Sequence, residues 1–102
     1  MLVGDRLICV RTYTKGVELL LAACDSDILG KTFKEGELQI ECGRFYDGEE
    51  VTVEEFTAQL RQCTIANLVG KRTVEAAIGE GFVDEGCVIW IGGIPHAQMV
   101  MM

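Results

Sequence analysis

The chain has 102 residues, 49% of them hydrophobic, with a formal net charge of −7 and five cysteines. That length suits one small domain with one core, spanning residues 1–102. The apolar content excludes disorder, and the acidic balance disfavours a general nucleic-acid binder, which must neutralise phosphates with Lys and Arg. No apolar run approaches the ~20 residues of a membrane span. The opening MLVGDRLICV lacks the apolar stretch and cleavage site of a signal peptide, so the cytoplasm is the expected location.

DRLICVRTYT (Asp5 to Thr14) alternates: Ile8 and Val10 share one face, and Leu7, Cys9, Arg11 and Tyr13 share the other. Lys15-Gly16 signals a turn, and VELLLAAC (Val17 to Cys24) follows as a more fully buried strand, giving a β-hairpin. DSDILG reads as one helical turn, capped by Asp25 and ended by Gly30 in the left-handed conformation. ELQIEC (Glu37 to Cys42) is a third strand, and GRFYDGEEV carries a turn at Asp47-Gly48 with a short fourth strand. Thr52-Val53-Glu54-Glu55 is a capping box that opens a helix with Val53, Phe56, Leu60 and Cys63 as its apolar stripe.

TIANLVGKRTVEAAIGEG reads as helical throughout, yet Ile65, Leu68 and Val69 lie opposite Val74, Ala77 and Ile78 at the helical period. Either the helix breaks near Gly70 or it is buried on two sides. The break is preferred, because a mid-helix glycine costs about 1 kcal/mol. Gly79 and Gly81 end the segment. CVIWIG (Cys87 to Gly92) is continuously hydrophobic and is expected as a central strand, with AQMVMM returning as another after the GGIPH turn. Strands, then helices, then strands predict an α+β fold. The expected form is a two-layer α/β sandwich, a mostly antiparallel sheet of four to six strands with two or three helices on one face.

The cysteines, Cys9, Cys24, Cys42, Cys63 and Cys87, are odd in number and form no CxxC knuckle, and His96 is the only histidine. No metal and no cofactor are therefore expected, and the thiols read as small buried hydrophobes in a reducing compartment. GGIPHAQ (Gly92 to Gln98) holds the only proline beside that histidine. Gly93 frees the backbone, Pro95 fixes a turn, and His96 can donate, accept or move a proton. The ordinary alternative is a strand–turn–strand with the histidine bonded to a carbonyl. Cys24-Asp25 stands at a strand end before a helical turn, where a thiol can become nucleophilic. A Cys24–His96 pair would then be nucleophile and general base, with Asp25, Asn67 or Gln98 orienting it. The ordinary alternative is a buried cysteine beside a capping aspartate.

A helix break at Gly70 would let the amides near Lys71 and Arg72 meet an anion; otherwise both are solvated cations. No phosphate-binding GxxxxGK[ST] or GxGxxG motif is present. Lys31, Lys34, Arg44, Arg61, Lys71 and Arg72 could converge against an acidic flank of Asp47, Glu49, Glu50, Glu54 and Glu55. Such a two-signed surface suits docking to a basic protein or a specific RNA site.

AACDSDILGKTF, RFYDGE, TIANLVGKRTVEAA and GGIPHAQ occur in this order. Together they resemble the archaeal family of domain of unknown function 424, over essentially the whole chain. The resemblance implies an archaeal cytoplasmic protein with a small α+β fold and no established activity. It places hallmarks on Cys24, Asp25, Gly30, Phe45, Tyr46, Asn67, Gly70, Gly93, Pro95, His96, Ala97 and Gln98. It also implies a link to translation, because genes of the family often lie near translation genes, including those of initiation-factor subunits.

The expected function is a non-enzymatic binding or accessory module linked to translation. Ribosomal particles or translation initiation factors are its partners, and its contact residues are Asp25, Asn67, Lys71, Arg72, Gly93, Pro95, His96 and Gln98. The alternative is a small enzyme using Cys24 and His96. A homo-oligomer through the apolar tail MVMM is a third reading.

Overall fold

A computed structural model of the chain describes residues 5–101. Met1 to Gly4 of the opening segment, and Met102 of AQMVMM, lie outside them. Strands β1 (Ile8–Lys15) and β2 (Glu18–Asp25) form the expected hairpin, with Ile8 opposite Asp25 and Lys15 opposite Glu18. A 3₁₀ turn (Ser26–Ile28) leads to β3 (Thr32–Glu35) and β4 (Leu38–Glu41), a separate two-stranded hairpin. A second 3₁₀ turn (Arg44–Tyr46) precedes β5 (Glu49–Val51) and helix α1 (Val53–Leu60). Strand β6 (Ile65–Val69) runs straight into helix α2 (Lys71–Gly79). A third 3₁₀ turn (Glu85–Cys87), β7 (Ile89–Ile91) and β8 (Ile94–Val100) complete the chain.

The large sheet has the order β5-β1-β2-β6-β8-β7, antiparallel throughout except for the central parallel pair β2–β6. The architecture is the α+β sandwich that the pattern of elements predicts. Helices α1 and α2 cover one face. There Ile8, Val10, Leu21, Ala23, Ala66, Leu68, Ala97 and Met99 of the sheet meet Phe56, Leu60, Val74 and Ala77 of the helices. Alanines at three of those sheet positions let the helix layer approach closely, as interior packing density demands. The opposite face gathers Cys9, Ala22, Cys24 and Val69 beneath Ile28, Cys42 and Tyr46, with Phe33 and Ile40 brought in by the β3–β4 hairpin. Strand β2 is thus buried on both faces from Leu21 onward, which is why LLLAAC reads as a run rather than an alternation.

Three expectations are corrected. Residues 65–69 are a strand, not part of a helix: at a period of two, Ala66 and Leu68 enter the helix-side core while Asn67 and Val69 take the other face. The mismatch of helical faces across Gly70 was the trace of a change of period, and the preferred break at Gly70 is where the strand stops. CVIWIG is an edge strand of three residues, with Ile89 and Trp90 about half exposed. Its unbroken hydrophobicity reflects an uncovered edge, not central burial. Asp25 makes no side-chain bond to its own 3₁₀ turn; its carboxylate is spent elsewhere. Gly30 does take a positive φ, 89°. Sequence reading missed β3, because Phe33 alone of its four residues is even half-buried.

The capping box forms in full: the Glu55 amide donates to Thr52 Oγ1 (3.1 Å) and the Thr52 amide to Glu55 Oε1 (2.9 Å). The Thr52 amide, then the Thr52 hydroxyl, hold the Glu55 carboxyl below its ordinary range. That support is present at neutral pH and lost as pH falls through the folded value. Thr52→Ala is expected to cost about 1 kcal/mol, read as a lower urea midpoint with an unchanged slope.

Candidate functional site

Strand β6 ends where α2 begins, and Gly70 makes the joint. Its φ of 107° is open to glycine alone at low cost. Its amide donates to Pro95 O (2.9 Å), while its own carbonyl accepts the first helical bond, from Val74 N (2.9 Å). An antiparallel pair would ordinarily return a bond from residue 95 to that carbonyl. The carbonyl is already taken, so a residue without an N–H fits there, and proline occupies the position at no cost in hydrogen bonds.

The start of α2 is capped from a distance. Asp25, 5% exposed, stands at the end of β2, the strand parallel to β6. Its Oδ2 accepts from Arg72 N (3.1 Å), and its Oδ1 from Thr73 N (2.9 Å) and Thr73 Oγ1 (2.8 Å). The Arg72 guanidinium lies 3.8 Å from Asp25 and 3.5 Å from Asp27. The α2 amides that a break at Gly70 could have offered to an external anion therefore already hold an internal one. A cleft of about 370 Å³, lined by Asp25, Asp27, Ile28, Lys71, Arg72 and Ile94, opens beside this cap.

The second face carries a row of polar side chains. Asn67 of β6 stands opposite Gln98 of β8, and Val69 opposite His96. Tyr46 reaches over the sheet and donates to Asn67 Oδ1 (2.8 Å). Burial, then the neighbouring thiols, push the Tyr46 hydroxyl's pKa up, so it stays a donor. His96 Nδ1 lies 3.0 Å from the Leu68 carbonyl. A carbonyl only accepts, so Nδ1 carries the hydrogen and Nε2 is the ring position left for a partner. The β3–β4 hairpin reaches the β7–β8 turn, where Gly92 N donates to Glu35 Oε1 (2.9 Å), and a groove of about 380 Å³ lies between Cys87, Ile89, His96, Ala97 and Gln98.

Of the residues singled out from sequence, the fold brings Asn67, His96 and Gln98 onto one surface. Gly93 is only the hairpin turn: Gly92 and Gly93, both at positive φ, join β7 to β8. Pro95 faces the helices instead, in a cavity of about 130 Å³ with Val74, Ile78, Val88 and Trp90. Lys71 and Arg72 lie at the end of the sheet, beside Asp25. The cations do not converge: Arg61 pairs with Glu80 in the helix layer, while Arg44 opens the 3₁₀ turn over the opposite face. Cys24 and His96 are not brought together. Val69 stands between them in register, so two strand spacings, about 10 Å, separate their backbones. The hydrogen bond shared with Cys42, then burial, push the Cys24 thiol's pKa far up, against a nucleophilic role. Sequence reasoning missed Cys87 and Ile89 as lining of the groove. Their signal was an apolar run placed directly before a two-glycine turn.

A family model described as "Protein of unknown function (DUF424)" matches residues 13–102. The chain belongs to that family. The crystal structure of an uncharacterized conserved protein from Methanopyrus kandleri is similar to it, with a TM-score of 0.81 at 22% identity. The match covers 93% of this chain and 91% of that one. At that identity the similarity speaks for the fold. No curated protein sequence matches the chain. The resemblance drawn from four motifs thus holds, and with it the α+β fold.

Asp25→Ala strands two amides and a hydroxyl, and is expected to cost about 3 kcal/mol or more. A Cβ on Gly70 would sit 2.5 Å from Asp25 Oδ1, so Gly70→Ala is expected to cost about 2 kcal/mol and less in an Asp25→Ala background. Urea titration of the double-mutant cycle reads that coupling. Four of the five thiols are buried and Cys87 is exposed. A chromogenic disulfide reagent is expected to react rapidly with one thiol in the native protein and with all five after denaturation.

Proposed function

We propose that the chain is a non-enzymatic binding module that serves the translation apparatus, and that it binds through the β7–β8 end of its second sheet face. One observation carries the binding reading. Ile89 (51%) lines the groove with His96 and Gln98, and Val100 (63%) stands exposed two residues beyond Gln98 on the same face of β8. Large apolar side chains clustered about a few polar groups mark a contact surface. The groups that could have supported chemistry are committed: Asp25 to the α2 cap, and Cys24 to the interior. The translation setting rests on the family resemblance, and on its implied partners, ribosomal particles or initiation factors.

Sedimentation of a tagged protein in an archaeal extract tests both parts. At low salt the wild type is expected to travel with ribosomal subunits or initiation complexes. His96→Ala and Ile89→Ala, both at exposed or half-exposed sites, are expected to fold normally and lose at least about tenfold in binding. Wild type that stays at the top of the gradient removes the translation reading. Variants that travel with the wild type remove this surface.

A further inference from the structure

We propose that two copies of this chain associate through the outer edge of β8, continuing one sheet into the next. Strand β7 pairs only with Ile94, Pro95 and His96. Among the described residues, no strand pairs with the outer side of β8 beyond His96. The direction of the peptide groups follows from two bonds to the β6 side: Gly70 N donates to Pro95 O, and Met101 N donates to Thr64 O. Peptide groups alternate sides along a strand. Odd-numbered residues of β8 therefore face β6, and Gln98 and Val100 turn their N–H and C=O outward.

An open edge of this kind is usually blunted with a charge, a proline or a bulge. From Ala97 to Met101 the sequence is AQMVM, with no charge and no proline. The ladder to β6 is regular from Ile65–Val100 to Val69–His96, so no bulge twists it away. The occupant that fits is a second copy. Antiparallel pairing about a two-fold axis at Met99 sets Gln98 opposite Val100 of the other copy, and Val100 opposite its Gln98. Those are the two outward-facing residues on each side, so four backbone hydrogen bonds close at once, in the self-matching manner of a two-fold interface. The same register places Ala97 opposite Met101 of the other copy on the helix side. On the groove side it puts Val100, 63% exposed in one copy, next to Gln98 of the other. Charge favours the same choice: a chain of net charge −7 meets itself with least repulsion across an uncharged strip, and a charged peptide finds nothing on this strip to pair with.

The test uses purified protein alone, so its outcome is independent of the partner binding proposed above. Sedimentation velocity over roughly a thousandfold range of concentration should show the mass rising toward twice the 11.2 kDa of one chain. Amide exchange at Gln98 and Val100 should slow as concentration rises. Val100→Lys puts a charge on the edge, and Val100→Pro removes an outward donor while sparing the bonds to β6. Each should hold the protein monomeric with its circular dichroism spectrum unchanged. Val17→Lys, on the far β1–β2 turn, should dimerise as the wild type does. A wild type that stays monomeric throughout overturns the proposal. So does a dimer that survives both Val100 substitutions, or one whose Gln98 and Val100 amides exchange at a rate independent of concentration.

Discussion

The carboxylate of Asp25 at the start of α2 is the interaction on which the arrangement depends. It joins the ends of the two parallel central strands: β2 supplies the acid, and β6 delivers the helix whose amides it accepts. A helix beginning directly after a buried strand leaves its first amides inside the protein, where water cannot reach them. Asp25 meets them there, with the favourable sign for the positive end of the helix dipole. The fit is close enough that residue 70 must be glycine, for its φ and for the space the aspartate fills. Pro95 belongs to the same device. It sits where the β8 ladder has lost its acceptor to the helix. An acid, a glycine and a proline far apart in sequence therefore answer one local problem of hydrogen bonding.

With the helices locked onto one face, the other face becomes the surface that can vary. It is covered unevenly. The Arg44–Tyr46 turn packs over β1 and β2, and the β3–β4 hairpin extends from this cluster to β7, with Cys9, Cys24 and Cys42 filling space beneath as small apolar groups. Tyr46 forms the border of that cover and ties it to the sheet through Asn67. Past that border His96 and Gln98 emerge, followed by the apolar edge of β7 and β8. The transition from buried thiols to half-buried Asn67 and His96 to exposed Gln98 and Ile89 runs across the strands of this face. Chemistry-bearing side chains are thus sorted by strand position. Those near the centre are structural, and those near the β8 edge are available for contact.

Some of this was legible in the residues. The hairpin β1–β2 followed from alternation and a glycine turn, the α1 start from Thr52 and Glu55, and the α+β class from the succession of patterns. Asn67, His96 and Gln98 stood out as polar residues in an apolar setting, and the fold does bring them onto one surface. What misled was the reading of hydrophobicity as burial. IANLV and CVIWI are both apolar runs, yet the first is a central strand and the second an edge. Nothing local separates them, because burial depends on which strands lie on either side. Asp25 misled for a related reason. An aspartate before a helical turn is an ordinary local cap, and only the parallel pairing of β2 with β6 turns it toward a helix that starts 46 residues later.

The sequence by itself therefore determined the elements that rest on short-range physics: turns that need glycine, a cap that needs Thr52 and Glu55, and strands that alternate. It also determined that no metal-binding spacing of Cys and His is present. Only the tertiary structure decided which strand is central, which acid caps which helix, and that Cys24 and His96 are held apart by Val69. Those outcomes follow from pairing between segments distant in the chain, and the energies that choose a pairing are sums over whole faces. No single residue or spacing records them.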